Sequence, residues 1–262
     1  MRLIIRPDYE SASSWAAGYI AGKINNKKDK PFVLGLPTGS SPLGVYREFV
    51  KMNKEGKLSF KNVKTFNMDE YIGLPASHPQ SYHYFMMENL FNHIDIERKH
   101  IHILDGMTKD YEKECKLYED TITAEGGIDL FLGGIGCDGH IAFNEPGSSL
   151  VSRTRVKTLT ADSRAANARF FSGDTAKMPT TALTVGVGTI MDSREVMLII
   201  SGRAKARALK AVVEDGINHM WTASCLQMHP NATIVCDDEA TEELKVGTVN
   251  YFKETEKNNL ED

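Results

Sequence analysis

Short apolar runs separated by helix-period segments constrain this 262-residue chain more than any other feature of its sequence. The runs occupy residues 3–5, 32–36, 63–66, 128–132, 182–187, 196–200 and 232–236. A strand with one wet face alternates apolar and polar residues, so a run without alternation suits a strand covered on both faces. Between most of the runs, residues 11–24, 44–53, 109–124, 204–214 and 239–252 place apolar side chains three and four positions apart, as a helix with one buried stripe does. Strand and helix in alternation predict an α/β fold with a mostly parallel central sheet and flanking helices on both faces. Residues 67–107, with several histidines and prolines, and residues 160–180 break the pattern. No internal repeat or linker divides the chain. One domain over residues 1–252 is expected, followed by a polar tail, 253–262, that frays.

With 31 basic and 35 acidic residues the formal charge is −4. Such a chain has no general attraction for nucleic acid or an anionic membrane surface, and an anionic substrate would need locally placed cations. No uncharged apolar run approaches the ~18 residues of a membrane span. The opening apolar residues are too few for a signal sequence and are interrupted by Arg6 and Asp8. Cys115, Cys137, Cys225 and Cys236 are scattered, without CxxC spacing, as reduced thiols of a cytoplasmic protein are. The expectation is a soluble, cytoplasmic enzyme.

Three loops carry candidate chemistry. Residues 134–146, Gly-Ile-Gly-Cys-Asp-Gly-His-Ile-Ala-Phe-Asn-Glu-Pro, follow an apolar run and set Asp138, His140 and Glu145 in glycine-rich backbone. Histidine titrates near neutrality, and flanking carboxylates orient it and tune its proton affinity, so the loop suits proton transfer. No HxxxH, HExxH or paired-cysteine pattern supports a metal site, and none is expected. His100 and His102 would share a strand face, but two ligands do not define a site.

Residues 36–42, Leu-Pro-Thr-Gly-Ser-Ser-Pro, stand between a strand and a helix. Gly39 permits positive φ, Thr38, Ser40 and Ser41 offer hydroxyls, and the amides at a helix start suit a phosphate. The same residues also suit an ordinary strand-to-helix turn. In residues 65–71, Thr-Phe-Asn-Met-Asp-Glu-Tyr, either Asp69 or Glu70 could act as a general base at a strand's carboxyl end, or cap a helix. Adjacent strand residues point apart, so one of the two is expected to face the site. The cations Arg153, Arg155, Lys157, Arg164, Arg169, Lys205 and Arg207 follow. Arg153, Arg155 and Lys157 cluster after Ser148 and Ser149, where a second anion could bind.

Together these segments resemble the glucosamine-6-phosphate deaminase family. The likeness rests on Leu-Gly-Leu-Pro-Thr-Gly at 34–39, residues 65–71, residues 136–146, Ser-Arg-Thr-Arg-Val-Lys-Thr at 152–158, Leu-Thr-Val-Gly-Val-Gly-Thr at 183–189 and Asn-His-Met-Trp at 218–221. It implies a Rossmann-like three-layer sandwich and conversion of glucosamine-6-phosphate to fructose-6-phosphate and ammonia without a cofactor. It assigns the catalytic base to Asp69 and ring opening to His140, with Asp138 and Glu145 tuning it. Phosphate contacts fall on Thr38, Gly39, Ser40, Ser41, Arg169 and Lys205. A mobile lid is implied at about 160–181. Many members are hexamers activated by N-acetylglucosamine-6-phosphate, and Met1, Ser148, Ser149, Arg155, Lys157, Thr158 and Tyr251 match or adjoin that effector site. The nearest alternative is 6-phosphogluconolactonase, whose loop typically continues Thr-Ala-Ser-Leu-Phe-Pro after the histidine. A second is a non-catalytic sugar-phosphate sensor, disfavoured because no segment reads as a DNA-binding module.

Overall fold

The apolar runs become strands with helices on both faces. The computed structural model describes residues 1–161, 164, 171 and 178–259. Strands β1 (Arg2–Arg6), β2 (Phe32–Leu36), β3 (Val63–Asn67), β5 (Ile101–His102), β6 (Leu130–Gly133), β9 (Glu195–Ile200) and β10 (Ala232–Asp237) form one sheet. Its order is β1-β10-β9-β6-β2-β3-β5, and every pairing is parallel. Successive side chains of each strand enter opposite cores. In β9, Val196, Leu198 and Ile200 join one, while Met197 and Ile199 join the other. That explains why the runs lack polar alternation.

Helices α1 (Tyr9–Asn26), α2 (Leu43–Lys54) and α3 (Tyr82–Asn89) pack into the second core. Helices α4 (Tyr111–Ala124), α5 (Val187–Met191), α6 (Ala206–Val213) and α7 (Val246–Thr255) pack into the first. The result is a Rossmann-like three-layer α/β sandwich, as expected. Local chemistry sets the helix starts: Asp8 accepts from Ser11 N–H at 2.7 Å, Ser81 Oγ from Tyr84 N–H and Asp110 from Lys113 N–H at 3.0 Å each. No helix among the described residues is long and apolar enough to cross a membrane.

A second sheet was not foreseen. Strands β4 (Asp69–Tyr71), β7 (Arg155–Thr158) and β8 (Thr181–Thr184) pair antiparallel in the order β4-β8-β7. The run at 182–187, expected as a single strand, instead ends β8 and then starts α5, because Gly186 caps that helix and its missing Cβ admits the backbone of Ser152. The register sets Asp69 opposite Thr184 from one side and Arg155 opposite it from the other. The segment 239–252 also divides, into a 3-10 turn at Glu239–Thr241 and then α7.

As far as residue 259, the last one described, the chain does not fray as expected from about residue 253. Helix α7 continues to Thr255, and the chain beyond it docks on the amino-terminal elements. Arg2 reaches Glu256 through two nitrogens at 3.1 and 2.8 Å, and Trp15 Nε1 donates to Asn259 O at 2.7 Å. Glu256 and Asn259 pair with β1 and α1, and Lys253 with Asp238, while the polar residues between them stay exposed.

Candidate active site

Four consecutive strands of the sheet, β9, β6, β2 and β3, release their following loops on one edge, the usual ligand edge of an open α/β sheet. There the loops line a cavity of about 560 Å³, with Thr38, Gly39, Ser40, Ser41, Asp69, Asp138, His140 and Lys205 all on its walls. Sequence candidates spread over 168 positions thus meet at one place.

The loop after β2 is held from behind. Tyr9 Oη donates to Ser41 O at 3.0 Å and accepts from Gly44 N–H at 2.7 Å, and Tyr46 Oη donates to Pro37 O. Gly39 has φ +90°, a backbone state that a side chain would strain. Among the described residues, nothing accepts from the Gly39 and Ser41 N–H groups. They stand just before α2, where the positive end of the helix dipole favours an anion. Lys205 donates from Nζ to Ile135 O at 2.7 Å, which anchors its cation beside the same cavity.

At Met68 the chain leaves the main sheet: Met68 N–H still donates to Leu36 O, while its carbonyl accepts from Val185 N–H in the smaller sheet's direction. The next residue, Asp69, is 6% exposed and faces the cavity. No donor among the described residues bonds its carboxylate. Burial, with Glu70's charge adding to it, pushes its pKa well above the ordinary 3.8. Glu70 answers the other half of the sequence question. Its carboxylate accepts from the N–H groups of Tyr71, Tyr82 and His83 at 2.8–2.9 Å, and so holds the start of α3.

His140 Nδ1 lies 2.7 Å from Asp138 Oδ1 and 3.8 Å from Glu145 Oε2. The closer approach lacks the alignment of a hydrogen bond at Nδ1. Burial raises the Asp138 carboxyl, but the His140 ring and backbone N–H together outweigh it and hold it below its ordinary value. Glu145, 2% exposed, lies behind the ring and takes Thr160 N–H at 3.2 Å. The donor atoms of the three residues all lie within 4.8 Å of one another, the spacing of a proton relay and of a small cation's ligands alike. Gly136 is required here, since a Cβ would meet Asp138 Oδ1 at 2.4 Å and the His140 ring at 2.5 Å.

The matched effector residues divide into separate groups. Ser148 Oγ donates to Glu145 O at 2.6 Å, Lys157 Nζ donates to Ser148 Oγ at 3.0 Å, and Arg155 donates to Asn144 Oδ1 at 2.9 Å. Ser149 Oγ accepts from Val151 N–H at 3.3 Å, and Thr158 ends β7. Among the described residues, no hydrogen bond or ion pair joins Met1, beside the Glu256 end of the chain, or Tyr251 on α7 to that group. Arg153 is engaged by Glu119 and Asp192 at 2.7 and 2.6 Å, which removes it from the free cationic set. Arg169 and most of the expected lid, about 160–181, lie outside the described residues. His102 stacks on Phe66 at the sheet's far side, with ring centroids 4.4 Å apart, and joins no cluster.

Sequence reading named Arg207 only as one of several cations and missed the aromatic walls. Trp221 and Arg207, whose guanidinium lies 5.8 Å from the indole centroid, line the cavity, as do Tyr82 and Phe143. Tyr82 and Phe143 stack on each other, and Tyr71 packs tilted against both and edge-on to Phe171, in a small aromatic core. Trp221 and Phe143 carried a signal, inside the Asn-His-Met-Trp segment and residues 136–146; Tyr82 carried none.

Comparison with known proteins places the chain in a family. A family described as glucosamine-6-phosphate isomerases/6-phosphogluconolactonase matches residues 7–236. The chain is 64% identical to a glucosamine-6-phosphate deaminase of Treponema denticola, covering 100% of this chain and 98% of the relative. To a glucosamine-6-phosphate deaminase of Phocaeicola vulgatus it is 62% identical, covering 99% and 100%. A solved monomeric glucosamine-6-phosphate deaminase superposes with TM-score 0.89 at 41% identity, covering 92% of this chain and 98% of that one. The 6-phosphogluconolactonase of Trypanosoma cruzi superposes with TM-score 0.73 at 20% identity, covering 93% and 97%, a likeness of fold alone.

Proposed function

The chain belongs to the glucosamine-6-phosphate isomerase/6-phosphogluconolactonase family, and from that premise we propose that it isomerises and deaminates glucosamine-6-phosphate to fructose-6-phosphate and ammonia. One observation carries the reading: a buried carboxylate that no donor among the described residues bonds, an imidazole between two acids and an anion-ready loop share one cavity. The relatives above 60% identity are deaminases, whereas the lactonase resembles the chain in fold.

The residue types answer the steps of the reaction. The phosphate binds at Thr38, Gly39, Ser40 and Ser41, with Lys205 and, by the resemblance, Arg169 closing over the anion. This remote contact sets the position of the reacting end. Ring opening moves a proton from the anomeric hydroxyl and another to the ring oxygen as the C1–O5 bond breaks. His140 shuttles these protons, while Asp138, ionised through the neutral range, and Glu145 keep the ring oriented.

Asp69 then takes the proton from C2. The electron pair forms the C1–C2 double bond of an enolamine as the aldehyde oxygen is protonated. A proton returned to C1 leaves an iminium at C2. Water adds there, ammonia departs, and the ketone remains. The net step consumes water and breaks the C2–N bond, so it is a hydrolytic deamination coupled to isomerisation. None of these steps calls for a metal or an organic cofactor.

Purified protein given glucosamine-6-phosphate should release ammonia and fructose-6-phosphate in equal amounts, and should leave 6-phosphogluconolactone unhydrolysed above background. The opposite pattern would return the lactonase reading. Tight sugar-phosphate binding without turnover of either compound would favour the sensor.

Lys205→Ala should mainly weaken phosphate recognition, raising KM roughly tenfold or more, the scale of a charge-assisted hydrogen bond. An unchanged KM and kcat would remove Lys205 from that role.

The finer reading includes regulation and assembly. Ser148, Ser149, Arg155, Lys157 and Thr158 would bind N-acetylglucosamine-6-phosphate, with Met1 and Tyr251 contributed across a subunit contact of a homohexamer in the cytoplasm. Its support is that Ser148 bonds the backbone of Glu145, so an effector there would touch the catalytic loop. The 41%-identical deaminase is monomeric, so the fold does not impose assembly. Substrate dependence should be sigmoidal and become hyperbolic with the acetylated sugar phosphate. Kinetics unchanged at saturating activator would contradict this.

A further inference from the structure

The catalytic loop is fastened by one buried amide. Asn144 is fully buried, and its Nδ2 donates to Ile141 O and to Val185 O, at 2.9 Å each. Its Oδ1 accepts from Arg155 at 2.9 Å. These are the bonds that a buried amide must make, because an orphaned polar atom there would keep the full cost of leaving water. Behind it, Thr222 Oγ1 accepts from Ile141 N–H at 3.2 Å and donates to Asn144 O at 2.9 Å.

Between the two fastened residues the chain makes an unusual turn. Ala142 has φ +50°, the one described non-glycine residue at positive φ. Such a state persists only where the surroundings over-determine it. The fastened residues are also the direct neighbours of the working ones: Ile141 follows His140, and Asn144 precedes Glu145. Val185, the second acceptor, sends its own N–H to Met68 O, one residue before Asp69. One side chain therefore ties the imidazole loop to the strand of the base.

We propose that Asn144, backed by Thr222, is the positioning residue that sets the spacing of His140 and Glu145. The inference rests on the deaminase reading, since it assigns ring opening to that pair. Its substance is that both donations of the amide, rather than its acceptance from Arg155, hold the loop.

Asn144→Ala and Asn144→Asp separate these roles. The aspartate keeps an acceptor for Arg155 but turns both donors into oxygen facing carbonyl oxygen. Thr222→Val removes the second fastening at nearly constant shape and serves where the Asn144 variants do not fold. Each folded variant should lose about 10–100-fold in kcat, the scale of a misplacement near 1 Å. The inhibition constant of the open-chain analogue 2-amino-2-deoxyglucitol 6-phosphate, which needs no ring opening, should stay within about twofold. A general loosening of the site would weaken that ligand in parallel, and this would overturn the proposal. So would wild-type kcat in Asn144→Asp or in Thr222→Val. If the wild-type enzyme itself fails to release ammonia, the deaminase reading falls instead, so the two failures are distinguishable.

Discussion

Asp69→Asn loses at least ~10²-fold in turnover, the usual scale for a general base, while its affinity for the substrate stays close to that of the wild type. Asparagine fills the same volume on the same cavity wall, but it cannot take the C2 proton. The substitution should also stabilise the protein at neutral pH. An aspartate whose folded pKa lies above its unfolded one favours the unfolded chain once pH passes the unfolded value, near 3.8. Wild-type stability therefore falls as pH rises from there to the raised folded pKa, and asparagine escapes that loss. Urea denaturation of both proteins from pH 4 to pH 8 should show the variant's advantage growing with pH. A constant difference, or wild-type turnover in the variant, would remove the buried base from the mechanism. The same shift acts on catalysis. Asp69 must be ionised to work, so the acid limb of kcat/KM should lie well above the ordinary carboxylate range.

His140→Gln removes the ring-opening shuttle and should cut turnover by about 10²–10⁴-fold, the range of general acid–base catalysis. Amino sugars open slowly in water without help, and that trace of open-chain substrate leaves the variant a residual rate which Asp69→Asn lacks. The open-chain analogue should bind His140→Gln nearly as tightly as wild type, because the phosphate loop and Asp69 are untouched. A kcat within about twofold of wild type, or loss of the analogue's affinity in step with kcat, would contradict the assignment.

Both expectations rest on residues that were legible in the sequence for different reasons. Apart from the two-residue β5, the main sheet was readable because strands covered on both faces leave unbroken apolar runs such as 196–200. The smaller sheet was not. Its strands span three or four residues, and β7 alternates Arg155 and Lys157 with Val156 and Thr158, so no apolar run marks it. The run at 182–187 carries no information about which sheet it joins, and Gly186 divided it. Asp138, His140 and Glu145 were visible because eight residues of one loop contain all three. Choosing between Asp69 and Glu70 from local sequence was impossible, because what claims Glu70 is a pair of N–H groups at Tyr82 and His83, beyond an intervening loop. The carboxyl end was misread for a related reason: Glu256 is polar in composition, but its partner Arg2 stands at the opposite end of the chain.

Asn144 illustrates what composition cannot report. In the sequence it belongs to the 136–146 segment that carries the family likeness, but no pattern there assigns it a role apart from its neighbours. Its weight comes from three partners, Ile141, Val185 and Arg155, that only the folded chain brings together.

A crystal structure with 2-amino-2-deoxyglucitol 6-phosphate bound tests the central claim most directly. The phosphate should lie on Thr38, Gly39, Ser40 and Ser41 with Lys205 beside it, the second carbon within reach of the Asp69 carboxylate, and the first carbon toward His140. A ligand seated with its phosphate away from that loop, or with its amine-bearing carbon turned from Asp69, would contradict it.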